Sequence, residues 1–167
     1  MTFSSGNKKD SKHYWLTPPE LMQKVINELG PDYFDPAPHP KPNNFDGLEI
    51  EWKEKNYVNP PFGGFKNKFN RRAPGISAWV RKAIEEFNKG KKVVLVYPID
   101  KWIFKLLEAG AVIKNMGDVR WLSIEDHNPG PGCGRHIAMF ILDPDNSLPA
   151  APPAAGEAAA AAARSQM

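Results

Sequence analysis

Residues 93–97 read Val-Val-Leu-Val-Tyr, a continuous apolar run that follows two lysines and ends at Pro98. A strand that is apolar at every position buries both of its faces, as the parallel strands of α/β proteins do. Proline ends such a strand because it has no N–H to donate to a neighbouring strand. The run therefore predicts a central strand of an α/β sheet that is flanked by helices.

Helical and strand-like segments alternate along the rest of the chain. Apolar residues at helical spacing predict helices over 18–29, 74–88 and 102–109. Short apolar runs predict further strands over 33–34, 56–58, 111–114, 119–122 and 136–142. This alternation predicts one α/β domain with a mainly parallel sheet. The last two strands, joined by a glycine-rich loop, are expected to form an antiparallel hairpin.

Composition places the chain among soluble globular domains, with 167 residues of which 41% are hydrophobic and 25% are charged. No apolar run reaches membrane-spanning length and residues 1–10 contain no signal-peptide core, so we expect no membrane partner and a cytoplasmic location. The single cysteine, Cys133, excludes a disulfide within the chain. We expect a flexible segment over 1–12, a folded domain over 13–145 and a Pro/Ala-rich low-complexity tail over 146–167.

The tetrapeptide Asn59-Pro60-Pro61-Phe62 follows the strand expected at 56–58. The proline pair is stiff and offers carbonyl acceptors, Asn59 adds a side-chain carbonyl, and Phe62 adds a flat apolar ring. Two acceptors and a ring suit a planar group with an exocyclic amino group, such as an extruded adenine or cytosine. The same residues also suit a tight turn, so the tetrapeptide alone leaves both interpretations open.

Further motifs precede the tetrapeptide. They are Tyr14-Trp15-Leu16-Thr17-Pro18-Pro19-Glu20-Leu21, then Phe34-Asp35-Pro36-Ala37, then Asp46-Gly47-Leu48 with Trp52. With Val58-Asn59-Pro60-Pro61-Phe62, this ordered series resembles the phage-type DNA N6-adenine methyltransferases, which use S-adenosylmethionine. The resemblance covers roughly residues 13–142 and implies a compact Rossmann-like methyltransferase domain. It implies methylation of a flipped adenine in duplex DNA, with short or relaxed sequence specificity because no separate recognition domain fits.

The resemblance also implies that Asn59, Pro60, Pro61 and Phe62 are the catalytic residues. The Asn59 side chain and the Pro60 carbonyl would accept the two amino hydrogens, which localises the lone pair of the nitrogen for in-line attack on the methyl group. Phe62 would stack on the extruded base, a contact of about 1–3 kcal/mol. No covalent enzyme intermediate is expected.

The same resemblance implies the residues that bind S-adenosylmethionine. An acid at the carboxyl end of the first strand can accept from ribose hydroxyls or lie near the methionine ammonium. A second acid receives the amino group of the cofactor's adenine beside an apolar wall, and the segment before the first helix frames the methionine end. The first acid is Asp35, followed by Pro36. The second acid is Asp46, with Leu48 as the apolar wall. The segment at the methionine end is Thr17 and Pro18, and Asn59 is expected beside these residues.

Two features complicate the cofactor prediction. Thr17 and Glu20 form a Thr-x-x-Glu capping box, which would occupy amides at the start of the helix. Residues 35–40 contain no glycine, whereas typical methyltransferases carry a glycine-rich turn after the first strand. The phage-type relatives also tend to lack that turn, so the manner in which the methionine end is held stays open.

The loop 63–75 combines cations and aromatic rings without an acid, a composition that suits contacts to phosphates and bases. The expected DNA contacts are Phe65, Lys66, Lys68, Phe69, Arg71 and Arg72, with Arg135 from a second loop. A solvated charged loop would have the same composition, and the net charge of +3 is weak evidence for DNA. The basic turn at 89–92 is expected to be a solvated helix end.

Several alternatives remain open at this stage. The spacing of Cys133 and the four histidines matches no zinc pattern, so no metal site is expected. The tetrapeptide would equally suit N4-cytosine or RNA adenine methylation, and protein-glutamine methyltransferases use a related motif. A non-catalytic DNA-binding module on a degenerate methyltransferase fold is the rival from another functional class. The oligomeric state cannot be derived from the sequence.

Overall fold

The computed structural model of the protein describes residues 9–62, 75–132 and 134–146. Its helices are α1 (Pro19–Leu29), α2 (Ile76–Asn88) and α3 (Ile103–Glu108). Its strands are β1 (Tyr14–Leu16), β2 (Lys55–Val58), β3 (Lys92–Pro98), β4 (Val112–Gly117), β5 (Leu122–Ser123) and β6 (Ile137–Leu142), and a 3-10 helix (Pro144–Asn146) follows.

Four of the strands form one mixed sheet in the order β2-β3-β6-β4. β2 and β3 run parallel, with Val58 opposite Leu95. β6 lies antiparallel to both β3 and β4. Outside the named strands, Phe34 forms a parallel bridge with Asn56. β1 and β5 form a separate antiparallel pair.

The prediction of a mainly parallel sheet is therefore wrong for the described residues. The apolar run in β3 indicates that both faces of the strand are buried. It does not indicate the direction of the neighbouring strands, because an antiparallel strand between two layers of helices is equally apolar. The expected terminal hairpin is also wrong, because β5 pairs with β1 while β6 pairs with β3 and β4. Residues 33–34 contribute a bridge where a short strand was expected.

The sheet lies between two apolar layers, which confirms the coarser prediction of an α/β fold. On one face, Trp79, Val80 and Ala83 of α2 pack with Leu106 of α3 against alternate residues of β3 and β6. On the other face, Leu21, Val25 and Leu29 of α1 pack against the remaining residues, together with Val119 and Trp121. Val93, Val94, Leu95 and Val96 are each 0% exposed. β3 is thus the centre of both cores.

A buried ion cluster holds α2 to the amino ends of β2 and β3. Glu86 is 0% exposed, and its carboxylate lies 2.8 Å from Lys82 Nζ, 3.1 Å from Lys89 Nζ and 2.6 Å from Lys91 Nζ. Burial alone would raise the pKa of Glu86, but hydrogen bonds from the three lysines lower it to about 2. Lys91 is 7% exposed, so the prediction of a solvated basic turn is wrong at that residue.

Within the part of the chain that the structure describes, no helix has the length and apolar character needed to cross a membrane.

Candidate active site

The predicted catalytic residues lie at the edge of the sheet where the parallel strands β2 and β3 end. Asn59 follows β2 directly, and residues 99–100 follow β3. The antiparallel β6 begins at the same edge, where Ile99 N donates to His136 O over 3.3 Å. We call residues 59–62, 98–100 and 135–137 the carboxyl edge, together with Asp35, which follows the parallel bridge of Phe34, and Trp121, which contacts Phe62. Ligands bind at this edge in open α/β sheets because the connecting loops leave space there.

Asn59 is held through both its side chain and its main chain. It is 7% exposed, and its Nδ2 donates to Trp15 O over 3.1 Å. That contact identifies the donor end of the amide and makes Oδ1 its acceptor end. His39 forms a hydrogen bond with the Asn59 backbone, and burial lowers the pKa of this imidazole. The His39 and Trp15 rings lie 5.3 Å apart, so the two residues that hold Asn59 also contact each other.

Phe62 lies over two buried aromatic side chains. Its ring centroid is 5.4 Å from that of Tyr97 and 5.4 Å from that of Trp121, with edge-to-face angles of 83° and 71°. Phe62 is 37% exposed, whereas Tyr97 and Trp121 are each 6% exposed. Burial, followed by the charge of Asp100, raises the pKa of Tyr97 to about 12, so its phenol stays protonated. Phe62 therefore presents a partly open ring on a rigid aromatic support.

Thr17 joins the same region by a contact that the sequence did not indicate. The N-cap of α1 is Pro18, with no side-chain cap hydrogen bond, so the predicted capping box is wrong. Thr17 lies one position too early to cap the helix, and its Oγ1 is instead 2.7 Å from the Tyr57 hydroxyl. Burial raises the pKa of Tyr57, and the negative charge of Asp35 adds to that shift. Thr17, Tyr57 and Asp35 thus share one polar environment.

A glycine packs the two segments that carry the acids of the predicted cofactor site against each other. A Cβ atom on Gly47 would lie 1.8 Å from Pro36 O, so only glycine allows the 46–48 turn to pack against Pro36. The turn is fixed by Asp46 Oδ1, which accepts from Leu48 N over 3.0 Å. Trp52 Nε1 donates to Gly47 O over 2.7 Å. The 46–48 turn and the segment at Pro36 are therefore in direct contact.

Asp35 is the most perturbed acid at this edge. Burial raises its pKa to about 6, although Oδ1 accepts a hydrogen bond of 2.9 Å from Ala37 N, which lowers the pKa. Asp35 is half-buried, and a carboxyl that is partly withdrawn from water is costly to ionise when no cation faces it. A bound cation would relieve that cost, so the chemistry of Asp35 fits an ammonium ligand.

Of the predicted DNA-contact residues, the structure describes only Arg135. Arg135 lies near Tyr97, since its positive charge lowers the pKa of that phenol. The other predicted contacts lie outside the described residues: Phe65, Lys66, Lys68, Phe69, Arg71 and Arg72. They stay predictions.

Four of the residues that shape the site were not predicted from the sequence: Trp15, His39, Tyr97 and Trp121. Tyr97 could have been found, because it stands at the end of the central strand and hence at the ligand-binding edge. The position of Trp121 carried no signal, since the segment 118–121 lies outside the strands and reaches the site only through tertiary packing.

A cleft of about 570 Å³ lies elsewhere, between the start of α1 and the segment around β5. Pro18 is the predicted cofactor residue that lines it, and the remaining lining mixes acids and bases, among them Glu20, Asp118 and Arg120. In the described ranges, no group of three or more His, Cys, Asp or Glu side chains is arranged to hold a metal ion.

Comparisons of the chain with protein-family models, with curated proteins and with solved structures found no significant match. Functional inference therefore depends on the residues and their geometry.

Proposed function

We propose that this protein transfers a methyl group from S-adenosylmethionine to the exocyclic N6 amino group of adenine in DNA. The observation that carries the proposal is the placement of Asn59 at the carboxyl edge. Its Nδ2 donates to Trp15 O, which fixes the orientation of the amide and leaves Oδ1 as its acceptor, and the carbonyl of Pro60 follows directly in the chain. Phe62, two positions after Pro60, is 37% exposed.

These groups suit the chemistry of an aromatic amine. The lone pair of such a nitrogen is delocalised into the ring, so the nitrogen is a poor nucleophile. Asn59 Oδ1 and Pro60 O would each accept one amino hydrogen, which favours a pyramidal nitrogen with a localised lone pair. Because Trp15 orients the Asn59 amide before the reaction, the amide oxygen would stabilise developing charge with little reorganisation. Phe62 would support the base from one face.

The residues expected to bind S-adenosylmethionine fit that molecule chemically. Asp35 is half-buried with a raised pKa, and the ammonium of the methionine portion would favour its charged form. The Asp46 turn packs on Pro36 and offers a second acid for the adenosine portion, with Leu48 beside it. S-adenosylmethionine, when bound, supplies the electrophilic methyl group. Thr17 is available near the methionine end through its contact with Tyr57.

The choice of DNA as substrate is supported by the sequence of the loop 63–75 and by Arg135. Cations interleaved with aromatic rings suit a nucleic-acid strand. Adenine must leave the stack to reach Asn59, since the reacting amino group is inaccessible inside a duplex.

Methyl transfer tests the proposal directly. The full chain is incubated with duplex DNA of mixed sequence and methyl-tritiated S-adenosylmethionine, and the nucleosides are then separated. We expect label in N6-methyldeoxyadenosine. Asn59→Ala should reduce the rate by about 100-fold or more, the loss seen when a preorganised transition-state partner is removed. Asn27→Ala on the exposed face of α1 is the matched control and should keep the wild-type rate. Full activity of Asn59→Ala would contradict the mechanism.

The same experiment separates the rivals. Label in N4-methyldeoxycytidine would redirect the proposal to cytosine, because the same acceptors suit that amino group. DNA binding without label, and without calorimetric binding of S-adenosylmethionine, would favour a non-catalytic DNA-binding module.

A further inference from the structure

One polar group at the carboxyl edge is not explained by the fold. Trp121 is 6% exposed, and among the described residues its indole Nε1 is buried without a hydrogen-bond partner. Native structures seldom leave a buried N–H unpaired, because the group has lost its hydrogen bond to water and gained none. A phenylalanine would fill similar apolar space without that cost. The N–H therefore points to a role in binding.

Trp121 lies against the predicted catalytic tetrapeptide. Phe62 meets Trp121 edge-to-face and meets Tyr97 in the same way, with both centroid distances at 5.4 Å. Phe62 is partly exposed and the other two rings are buried, so Phe62 covers them. Movement of the Phe62 ring would expose the Tyr97 and Trp121 rings next to the tetrapeptide.

We propose that Trp121 forms part of the pocket for the target base and that its Nε1–H donates a hydrogen bond to a ring nitrogen of that base. The inference rests on the proposed function and adds the group that recognises the edge of the ring. Adenine has acceptor nitrogens N1 and N7 on either side of its amino group, and cytosine has N3 beside its own. Guanine and thymine carry an oxygen in place of this amino group and an N–H in place of adenine N1 or cytosine N3, although guanine keeps the N7 acceptor. Two acceptors with one donor therefore match adenine and cytosine, whereas the oxygen of guanine or thymine would face two acceptors.

Base analogues test this assignment. The probe is a DNA duplex with a single adenine opposite an abasic site, where extrusion is least costly. Adenine is replaced in turn by 1-deazaadenine, 7-deazaadenine and 3-deazaadenine, and the affinity of the full chain is measured by fluorescence anisotropy. The variants are Trp121→Phe and, as a matched control, Trp79→Phe. Trp79 is also 6% exposed but packs in the core on the other face of the sheet. Thermal unfolding checks that both variants fold.

We expect the wild type to bind either the 1-deaza or the 7-deaza duplex about ten-fold more weakly than the adenine duplex, the effect of one hydrogen bond. Trp121→Phe should bind the adenine duplex about ten-fold more weakly and show no further loss with that analogue. Trp79→Phe should discriminate as the wild type does. Wild-type discrimination that survives in Trp121→Phe, or a wild type that does not discriminate, overturns the assignment.

Methyl transfer to the same adenine duplex distinguishes the two proposals. In one outcome, the wild type discriminates between adenine and a deaza analogue through Trp121 and yet transfers no methyl group. That result would contradict the proposed function and support Trp121 as a base-binding group. Transfer by a wild type that treats all the deaza analogues as adenine would contradict the Trp121 assignment alone.

Discussion

Buried polar groups have different numbers of hydrogen-bond partners at the two ends of the parallel pair β2–β3, as two asparagines three positions apart show. Asn56 lies at the amino end and is 0% exposed. Its Nδ2 donates to Lys53 O over 2.6 Å and to Lys92 O over 3.1 Å, and its Oδ1 accepts from Lys53 N over 3.0 Å. Among the described residues, the side chain of Asn59 at the carboxyl edge has one partner, Trp15 O at 3.1 Å.

The charged groups repeat this contrast. At the amino end, Glu86 is surrounded by three lysines, and Lys92 Nζ lies 2.6 Å from Asp143. At the carboxyl edge, Asp35 has a raised pKa and Trp121 Nε1 lacks a partner among the described residues. Among the described residues, the polar groups named at the amino end are all paired, whereas under the proposed function those at the carboxyl edge would be completed by a ligand. The proposed function thus assigns stability and binding to opposite ends of the same strands.

The strongest test of this division is Glu86→Gln, which leaves the three lysines beside a neutral group. We expect a loss of about 3–5 kcal/mol in the free energy of unfolding, as when one partner of a buried ion pair is removed. Glu85→Gln is the control, because Glu85 pairs with Lys89 at 2.9 Å from an exposed position and should change stability by about 0.5 kcal/mol or less. Urea denaturation measures both. Equal effects of the two substitutions would contradict the view that burial makes the amino end stabilising.

The second prediction uses pH, because the two ends respond with opposite signs. The pKa of Glu86 is lowered from 4.5 to about 2, so its stabilisation is present above pH 4.5 and is lost as the pH falls through 2. The pKa of Asp35 is raised from 3.8 to about 6, so the folded state binds a proton that the unfolded state releases between these values. The stability from this group is full below pH 3.8 and is lost as the pH rises through 6.

We therefore expect the stability of the wild type relative to Asp35→Asn to rise by up to about 3 kcal/mol as the pH falls from 7 to 4, the equivalent of about two pKa units. Denaturation of both proteins across this range measures the difference. A difference in stability that does not vary with pH would contradict the raised pKa of Asp35. Saturating S-adenosylmethionine should flatten the dependence, because a bound ammonium favours the charged carboxylate.

The fold was predictable from the sequence where burial alone decides it. The apolar run at 93–97 correctly predicts a central strand, and helical periodicity places α1 and α2 to within about two residues. The direction of each strand was not predictable, because a strand covered on both faces has the same composition in either direction. The burial of Lys91 was equally hidden, since it depends on Glu86 and Glu51, which only the folded chain brings to it.

The candidate site was predictable where local chain order places residues at the carboxyl edge, as for Asp35 and Asn59. The partners that hold those residues come from distant segments. Trp15 reaches Asn59 across 44 positions. His39 and Trp121 enter through loops without periodicity. Local sequence chemistry thus identifies groups that act on a ligand more readily than groups that position them.

The smallest predicted effect concerns Thr17, which bridges the two roles. Its Oγ1 lies 2.7 Å from the hydroxyl of the buried Tyr57. Thr17→Val keeps the shape and leaves the phenol unpaired, so we expect a loss of about 1 kcal/mol in the free energy of unfolding. Tyr57→Phe should cost a similar amount, and the double variant should cost less than the sum because neither hydroxyl then lacks a partner.

Urea denaturation of the four proteins gives the coupling between Thr17 and Tyr57, and calorimetry with S-adenosylmethionine gives the effect of each variant on binding. If Thr17 serves only the fold, the double variant should lose less stability than the sum of the two single variants and should retain cofactor affinity. If Thr17 also contacts the methionine end, affinity should stay reduced in both proteins that lack its hydroxyl, whatever their stability. Loss of stability and loss of affinity would then separate at a single residue, which would place Thr17 with the ligand-binding groups of the carboxyl edge.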